Sequence, residues 1–187
     1  NHGVVAFDLA GGEAGNPAKK HAAAFNLALD NNMNSTVHAG EGYGPESIKQ
    51  ALHYCGAHRI GHGTRLAEDG DLLNYVLDQR IPLEICLSSN VHVGAVESLQ
   101  DHPFKKYFDE NLRVTLNTDN RLMSKTTLTN EYLLAVETFN LTFNDICTLI
   151  INGFKSAFLS HNERREMINS VVSEMESASS RSESPTI

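Results

Sequence analysis

The amino-acid sequence predicts an α/β protein built on a parallel sheet. Short β-prone segments alternate with helical patterns five times along the chain. This repeated order indicates parallel strands joined by helical crossovers. Polar side chains that can bind a ligand follow the end of each predicted strand. Because the carboxyl ends of parallel strands meet at one edge of a sheet, we expect a single site at that edge.

Two architectures fit this order of elements. A (β/α)8 TIM barrel typically needs about 250 residues. The 187-residue chain would then hold only about the last five strand-helix units and the C-terminal helices. A five-stranded open parallel sheet would need no further residues, and periodicity does not decide between the two. Residues 1–175 are expected to form the folded part, and the Ser-rich residues 176–187 a disordered tail.

The strands and their crossover helices follow from local patterns. Runs of Val, Ile, Leu and Thr indicate the strands, and apolar residues three or four apart indicate the helices, as with Phe25 and Leu29. Pro45 suits the first position of a helix. The predicted strands are 3–8, 35–38, 59–61, 81–86 and 113–116, and the helices after the first four are 18–30, 45–55, 69–79 and 98–110.

After the fifth strand the pattern is purely helical. Thr142-x-x-Asp145 resembles a capping box and Ser160-x-x-Glu163 is one, so both sites indicate helix starts. We expect the Thr142 and Ser160 side chains to accept hydrogen bonds from the first free amides of their helices. The predicted helices are 128–139, 143–158 and 161–175.

Composition and charge argue against several classes of protein. The formal net charge is -8, and no run of Lys or Arg is longer than two, which argues against a nucleic-acid partner. No long apolar segment predicts a membrane span. The three cysteines lie far apart, so neither a disulfide framework nor a thiolate zinc site is indicated. A reducing compartment, the cytoplasm, fits this cysteine usage best.

The polar residues after successive strands are the candidate site. A single one of them would indicate only a turn or a helix cap, but five occurrences at corresponding positions favour a function. They are Asp8 and Gly11, then His38 and Glu41, then His62, then Ser88 to Asn90, and finally Asp119 with Asn120.

Histidine and carboxylate without cysteine indicate a divalent ion such as zinc. A catalytic zinc takes three protein ligands and a water, whose pKa it lowers so that hydroxide is available as a nucleophile. His38 and Asp119 are the candidate ligands, and His62 is either a third ligand or a base beside the hydroxide. Glu41 suits general acid-base catalysis if a closed site raises its pKa.

At these residues the sequence resembles the adenosine deaminase family of metal-dependent purine deaminases, in a branch that looks bacterial. The likeness extends over nearly the whole chain, up to about Met175, in both order and spacing. The resembling segments are D-L-A-G (8–11), T-V-H-A-G-E (36–41), R-I-G-H-G (59–63), S-S-N (88–90) and L-N-T-D-N (116–120).

The resemblance implies a zinc-dependent (β/α)8 barrel enzyme that converts adenosine and 2'-deoxyadenosine to the inosine product and ammonia, in purine salvage. The roles that it implies are zinc ligands at His38 and Asp119, a proton donor to the purine ring at Glu41, and stabilisation of hydroxide by His62 and Asp119. The Gly11 amide would bind another ring nitrogen. Protonating the ring as hydroxide adds is where transition-state stabilisation is expected.

Two departures from the family pattern concern the metal and the substrate. The family's first strand carries a His-x-His pair with two further zinc ligands, and this chain has no such pair. The two ligands are therefore expected upstream, and the chain by itself is expected to be inactive. Many members have Asp where this chain has Asn120. An Asn can donate a hydrogen bond to the purine five-membered ring at any pH, so Asn120 is expected to bind substrate.

Other functions stay open at this stage. Within the enzyme class, adenine or another 6-aminopurine is an alternative substrate. An inactive fragment or a purine-binding module is the alternative outside that class. A nucleic-acid deaminase of the cytidine type is disfavoured, since its H-x-E and P-C-x-x-C zinc motifs are absent from the sequence.

Overall fold

A computed structural model describes residues 3–182 and contains one five-stranded sheet in which all neighbouring strands are parallel. The strand order is strictly sequential, β1-β2-β3-β4-β5. In a doubly wound open sheet the order of the strands reverses in the middle of the sheet. In a barrel each strand lies beside the strand that precedes it in the sequence. The order therefore favours the barrel architecture. The strands are β1 (Ala6–Leu9), β2 (Asn34–Ala39), β3 (Arg59–His62), β4 (Leu83–Ile85) and β5 (Val114–Leu116).

Helices connect the strands and follow the sheet, as predicted for the larger elements. Both predicted caps are present: Thr142 and Asp145 form a capping box, and the Glu163 amide donates to Ser160 Oγ at 3.3 Å. The helices are α1 (Ala22–Asp30), α2 (Pro45–His53), α3 (Gly70–Asp78), α4 (Leu87–His92), α5 (Phe104–Asp109), α6 (Arg121–Ser124), α7 (Leu128–Phe139), α8 (Phe143–Ser156) and α9 (His161–Ser182), with 3-10 turns at Ala18–His21 and Leu66–Glu68.

Three predictions of local structure are wrong. The helix predicted at 98–110 begins only at Phe104, because Pro103 disfavours helical backbone at the residue before it. The turn predicted at 88–90 belongs to helix α4. The expected disordered tail is helical over residues 176–182, where serine hydroxyls such as Ser180 donate to the carbonyl four residues earlier. Residues 183–187 lie outside the described part of the chain.

The two faces of the sheet differ in chemistry. Val37, Ile60, Leu83 and Val114 are neighbours in register and are fully buried in the hydrophobic core with residues of the helices. The opposite face carries polar residues: Arg59 Nε donates to Thr36 Oγ1 at 3.0 Å and lies 2.9 Å from Glu84 Oε1. The helices therefore pack against the apolar face. The polar face is continuous with the polar residues at the carboxyl ends of the strands. No helix within residues 3–182 has the length and apolar character needed to cross a bilayer.

Candidate active site

The side chains of β1, β2 and β3 meet at the carboxyl edge of the sheet. His38 on β2 lies beside Asp8 of β1, with 3.2 Å between His38 Nδ1 and Asp8 Oδ1. Its ring centroid lies 4.9 Å from that of His62, the last residue of β3. Hydrogen bonding to Asp8 is the main cause of a raised pKa of His38, and burial opposes it. Asp8 therefore fixes Nδ1 of this imidazole and leaves its Nε2 available.

A glycine makes room for the His38 ring. Gly61 of β3 is the register partner of His38, and a Cβ built on Gly61 would lie 3.2 Å from Cγ and Nδ1 of that ring. Such a contact is closer than carbon and nitrogen atoms normally approach. The small residue in R-I-G-H-G thus lets the imidazole lie across the neighbouring strand.

His62 and Asp119 both have left-handed backbones, with φ of 65° and 50°. Such conformations cost about 1–3 kcal/mol for residues other than glycine and concentrate at functional sites. A regular strand would direct His62 away from the face that carries His38, because successive side chains alternate. The left-handed backbone at His62 instead accompanies a ring that lies beside His38.

Asn90 joins Glu41 to His62. Its Nδ2 donates to Glu41 Oε1 at 2.7 Å and lies 3.1 Å from His62 Nδ1. Asn90 and His62 are buried and Glu41 is half-buried. One amide group therefore orients both side chains that the sequence assigns to acid-base chemistry.

A buried histidine fixes the direction of that amide. The Phe104 backbone N–H donates to His102 Nδ1 at 3.0 Å, so His102 carries its proton on Nε2. That nitrogen lies 3.1 Å from Asn90 Oδ1 and donates to it. The two hydrogens on Asn90 Nδ2 then point to Glu41 and to His62 Nδ1, so neutral His62 has its own proton on Nε2.

Burial sets the protonation of this group. It is the main cause of a raised pKa of Glu41, and the nearby Asp119 charge acts in the same direction. Burial also lowers the pKa of His62 to about 4, helped by His38, and that of His102 to about 4. Glu41 thus keeps its proton to a higher pH than a solvated glutamate does, and the two histidines are neutral at pH 7.

Asp119 and Asn120 follow β5. Ser89 Oγ donates to Asp119 Oδ2 at 2.6 Å, which leaves Oδ1 of that carboxylate available. Asn120 caps the short helix α6, because its Oδ1 accepts from the amides of Leu122 and Met123, each at 3.1 Å. The cap uses only the oxygen of Asn120, so its Nδ2 can still donate to a ligand.

The loop after β1 borders the same region. Gly11 has φ of 124°, a conformation open mainly to glycine, and it is exposed. A cleft of about 390 Å³ is lined by Gly11, Glu13, His38 and Tyr43, among others. Pockets that hold small molecules typically measure about 300–1,000 Å³. One candidate substrate-binding residue, Gly11, and one candidate metal ligand, His38, thus line the same cleft, whereas Asp119 and Asn120 are not among its lining residues.

The side chains present fit part of a zinc site. His38 has an orienting carboxylate on Nδ1, the arrangement usual for a histidine that binds a metal through its other nitrogen. Asp119 likewise has one oxygen held by Ser89 and one free. Within residues 3–182, however, no three His, Cys, Asp or Glu side chains are arranged to hold a metal ion. This chain therefore offers His38 and Asp119 as candidate ligands, not a complete site.

The sequence gives no signal for two contributors to this site, His102 and Glu13. It places Asn90 in the strand-end segment Ser88 to Asn90 but assigns it no role. Their contacts join residues 12 to 49 positions apart, for example Asn90 with Glu41. The segment S-S-N was the one local signal for Asn90.

The fold and the strand-end site define a (β/α)8 barrel protein of the deaminase type, and residues 3–182 contain five of its strands. Residues 1–174 match the sequence profile of the adenosine deaminase family. The chain belongs to the adenosine deaminase family.

Curated relatives support that membership. The chain is 47% identical over 181 residues to the adenosine deaminase of Mycobacterium ulcerans, covering 91% of this chain and 50% of the relative. It is 46% identical over 183 residues to that of Mycobacteroides abscessus, covering 92% and 51%. The chain thus spans about half the length of the curated relatives it matches, and it corresponds to their C-terminal portion.

Solved structures share the fold. An adenine deaminase from Arthrobacter aurescens superposes with a TM-score of 0.88 at 27% identity, covering 92% of this chain and 53% of the other. The apo N6-methyl-AMP deaminase from Arabidopsis thaliana gives a TM-score of 0.83 at 28% identity, covering 96% and 51%. The barrel interpretation is confirmed, and the open-sheet alternative is not needed.

Proposed function

We propose that this chain is the C-terminal part of a zinc-dependent enzyme that hydrolyses adenosine and 2'-deoxyadenosine to inosine or 2'-deoxyinosine and ammonia, in cytoplasmic purine salvage. Similarity to curated adenosine deaminases supports the reaction. The observation that carries the proposal is the Asn90 amide, which holds Glu41 beside His62. This arrangement places a carboxyl of raised pKa, able to donate a proton, next to a neutral imidazole.

In this proposal His38 and Asp119 hold the zinc ion together with two histidines upstream of the chain. When bound, zinc supplies a water of lowered pKa, so that hydroxide is available at neutral pH. Asp8 and Ser89 orient the two ligands of this chain through the contacts at 3.2 and 2.6 Å.

The other site residues act on the purine and the attacking oxygen. Glu41 gives its proton to the ring nitrogen beside the carbon under attack, and Nε2–H of His62 donates to the attacking oxygen while Asp119 accepts from it. The Gly11 amide and the Asn120 Nδ2 donate to two other ring nitrogens. These bonds strengthen as the ring loses aromatic character, which stabilises the transition state more than the substrate.

A second substrate class has its own support. The solved relatives include an adenine deaminase and an N6-methyl-AMP deaminase, so the fold accommodates aminopurines without the ribose or with a phosphate. Adenine or another 6-aminopurine is therefore the alternative substrate. A purine-binding module without catalysis is the alternative outside the enzyme class.

The assay that tests this function follows the loss of adenosine absorbance with zinc added. It compares the 187-residue chain with a form extended upstream, on adenosine, adenine and adenosine monophosphate. We expect turnover only in the extended form, fastest on adenosine. Faster turnover of adenine or of the monophosphate would show that this compound, and not adenosine, is the substrate. Nucleoside binding without turnover in the extended form would favour the binding module.

Replacing Gly61 with Ala is expected to weaken zinc binding by the extended form about 10- to 100-fold, the range typical when a ligand's orienting contact is lost. The new methyl group would lie 3.2 Å from the His38 ring and displace it from Asp8. Zinc affinity measured by competition with a chelator checks this. Gly153→Ala is the matched control, since no atom lies within 4 Å of its added methyl group. Equal affinity in the two variants would contradict the role of Gly61.

A further inference from the structure

The carboxylate of Glu13 accepts hydrogen bonds from five groups of one loop and the helix after it. Glu13 belongs to the loop between β1 and α1, and its partners belong to the loop after β2 and to α2. The donors are the backbone amides of Gly40 (2.9 Å), Glu41 (2.9 Å), Gly42 (3.2 Å) and Tyr43 (3.2 Å), and Ser47 Oγ (2.8 Å).

These bonds hold the backbone amides of the loop that carries Glu41. Within the described residues, the amides of Glu41, Gly42 and Tyr43 have no other hydrogen-bond acceptor. Residues 40–43 form neither helix nor strand, so no ladder of backbone bonds holds them. A carboxylate that accepts from several amides gives short, charge-assisted bonds, which are about twice as strong as neutral ones.

Glu13 also stands close in sequence to Gly11. Both residues line the 390 Å³ cleft, so one short segment places the Gly11 amide and the Glu13 carboxylate at the same edge. Through Glu13 the loop of Gly11 is tied directly to the loop of Glu41. In the proposed reaction these two residues contact two nitrogens of one purine ring, whose separation is fixed by the ligand.

We propose that Glu13 is a positioning residue that sets the distance between Gly11 and Glu41 and so aims the Glu41 carboxyl at the purine ring. This inference rests on the proposed function. Glu13 itself touches no reacting atom, because its two oxygens are occupied by the loop amides and by Ser47. Its effect on the reaction passes through the backbone of residues 40–43.

Glu13→Gln is the informative substitution. It keeps the shape of the side chain but replaces one acceptor oxygen with an amide nitrogen, whose hydrogens would face backbone N–H groups. We expect backbone hydrogen exchange at Glu41, Gly42 and Tyr43 to accelerate at least about 10-fold, since amides without an acceptor open more readily. We also expect kcat to fall about 10- to 100-fold with a smaller change in KM, because misplacing a catalytic group by about 1 Å has effects of this size.

The experiment measures exchange at 40–43 and steady-state kinetics on adenosine, in the upstream-extended protein with zinc. Glu46→Gln is the matched control, because Glu46 is an exposed carboxylate on the adjoining helix that does not contact these amides. Ser47→Ala is the milder variant if Glu13→Gln fails to fold. It leaves the four amide bonds intact and should accelerate exchange mainly at Gly40, which also donates to Ser47 Oγ at 2.8 Å.

The proposal is supported if Glu13→Gln shows both faster exchange and lower kcat while Glu46→Gln shows neither. Unchanged exchange at 41–43 overturns it, and so does faster exchange with unchanged kcat. If the extended protein deaminates no aminopurine, the proposed function fails, and exchange alone then decides whether Glu13 holds the two loops together.

Discussion

The Glu41→Gln variant of the upstream-extended protein is expected to lose about 100- to 10,000-fold in kcat on adenosine, the contribution typical of a general acid. Glutamine has nearly the shape of glutamate but no proton of comparable acidity to donate to a ring nitrogen. Its carbonyl oxygen can still accept the bond that Asn90 Nδ2 makes to Glu41 Oε1 at 2.7 Å. The substitution therefore removes the proton and keeps the geometry.

The surroundings of Glu41 explain why it suits this role. Burial and the neighbouring Asp119 raise the pKa of its carboxyl, so a proton is retained nearer to neutral pH than on a solvated glutamate. The backbone of residues 40–43 is held by Glu13 and not by the Glu41 side chain. We thus expect the free energy of unfolding and the KM of the Glu41→Gln variant to change little.

The loss of absorbance on conversion of adenosine to inosine measures kcat, and unfolding in denaturant measures the free energy of unfolding. Glu46→Gln serves as the control, since it removes an exposed carboxylate five residues away on helix α2. If kcat of the Glu41→Gln variant stays within a few-fold of that of the unsubstituted protein, Glu41 is not the proton donor. A similar loss in Glu46→Gln would indicate a general effect of charge.

The positions of the site residues could be predicted because the fold makes strand ends equivalent. Once His38, His62 and Asp119 are recognised as residues at or just after the carboxyl ends of parallel strands, they must lie on one rim of the sheet. The structure brings His38, Glu41 and His62 into contact there, with 3.3 Å between His62 Nδ1 and Glu41 Oε1. Their roles in catalysis and metal binding stay predictions until the assays above are made.

Residues that act through tertiary contacts could not be predicted. Glu13 in a glycine-rich loop has the sequence appearance of a solvated charge, and its five partners are 27 to 34 positions away. His102 falls within the helix predicted at 98–110, and nothing in its local sequence indicates its contact with Asn90, 12 positions away. The helical course of residues 176–182 was missed for a local reason, since serine-rich composition indicated disorder while hydroxyl-to-carbonyl bonds accompany the helix there.

The Asn90→Leu variant is expected to lower kcat/KM on adenosine about 100-fold or more in the extended protein. Leucine has a similar volume but removes the donor to Glu41 and His62 and the acceptor of His102. The two side chains proposed for acid-base chemistry then lose their common orienting group, and misplacing such a group by about 1 Å can cost about 100-fold in rate. The buried Nε2–H of His102 is also left without an acceptor, which costs about 1–3 kcal/mol of stability.

Asn152→Leu separates catalysis from stability in this comparison. Asn152 is also a partly buried amide, and its Nδ2 donates to the Val114 carbonyl at 3.2 Å, at the amino end of β5 and away from the carboxyl ends of the strands. We expect its loss to lower the free energy of unfolding without changing kcat/KM per folded molecule. If Asn90→Leu reduces activity no more than Asn152→Leu does, the amide of Asn90 supports only the fold, and the proton positions assigned to Glu41 and His62 are wrong.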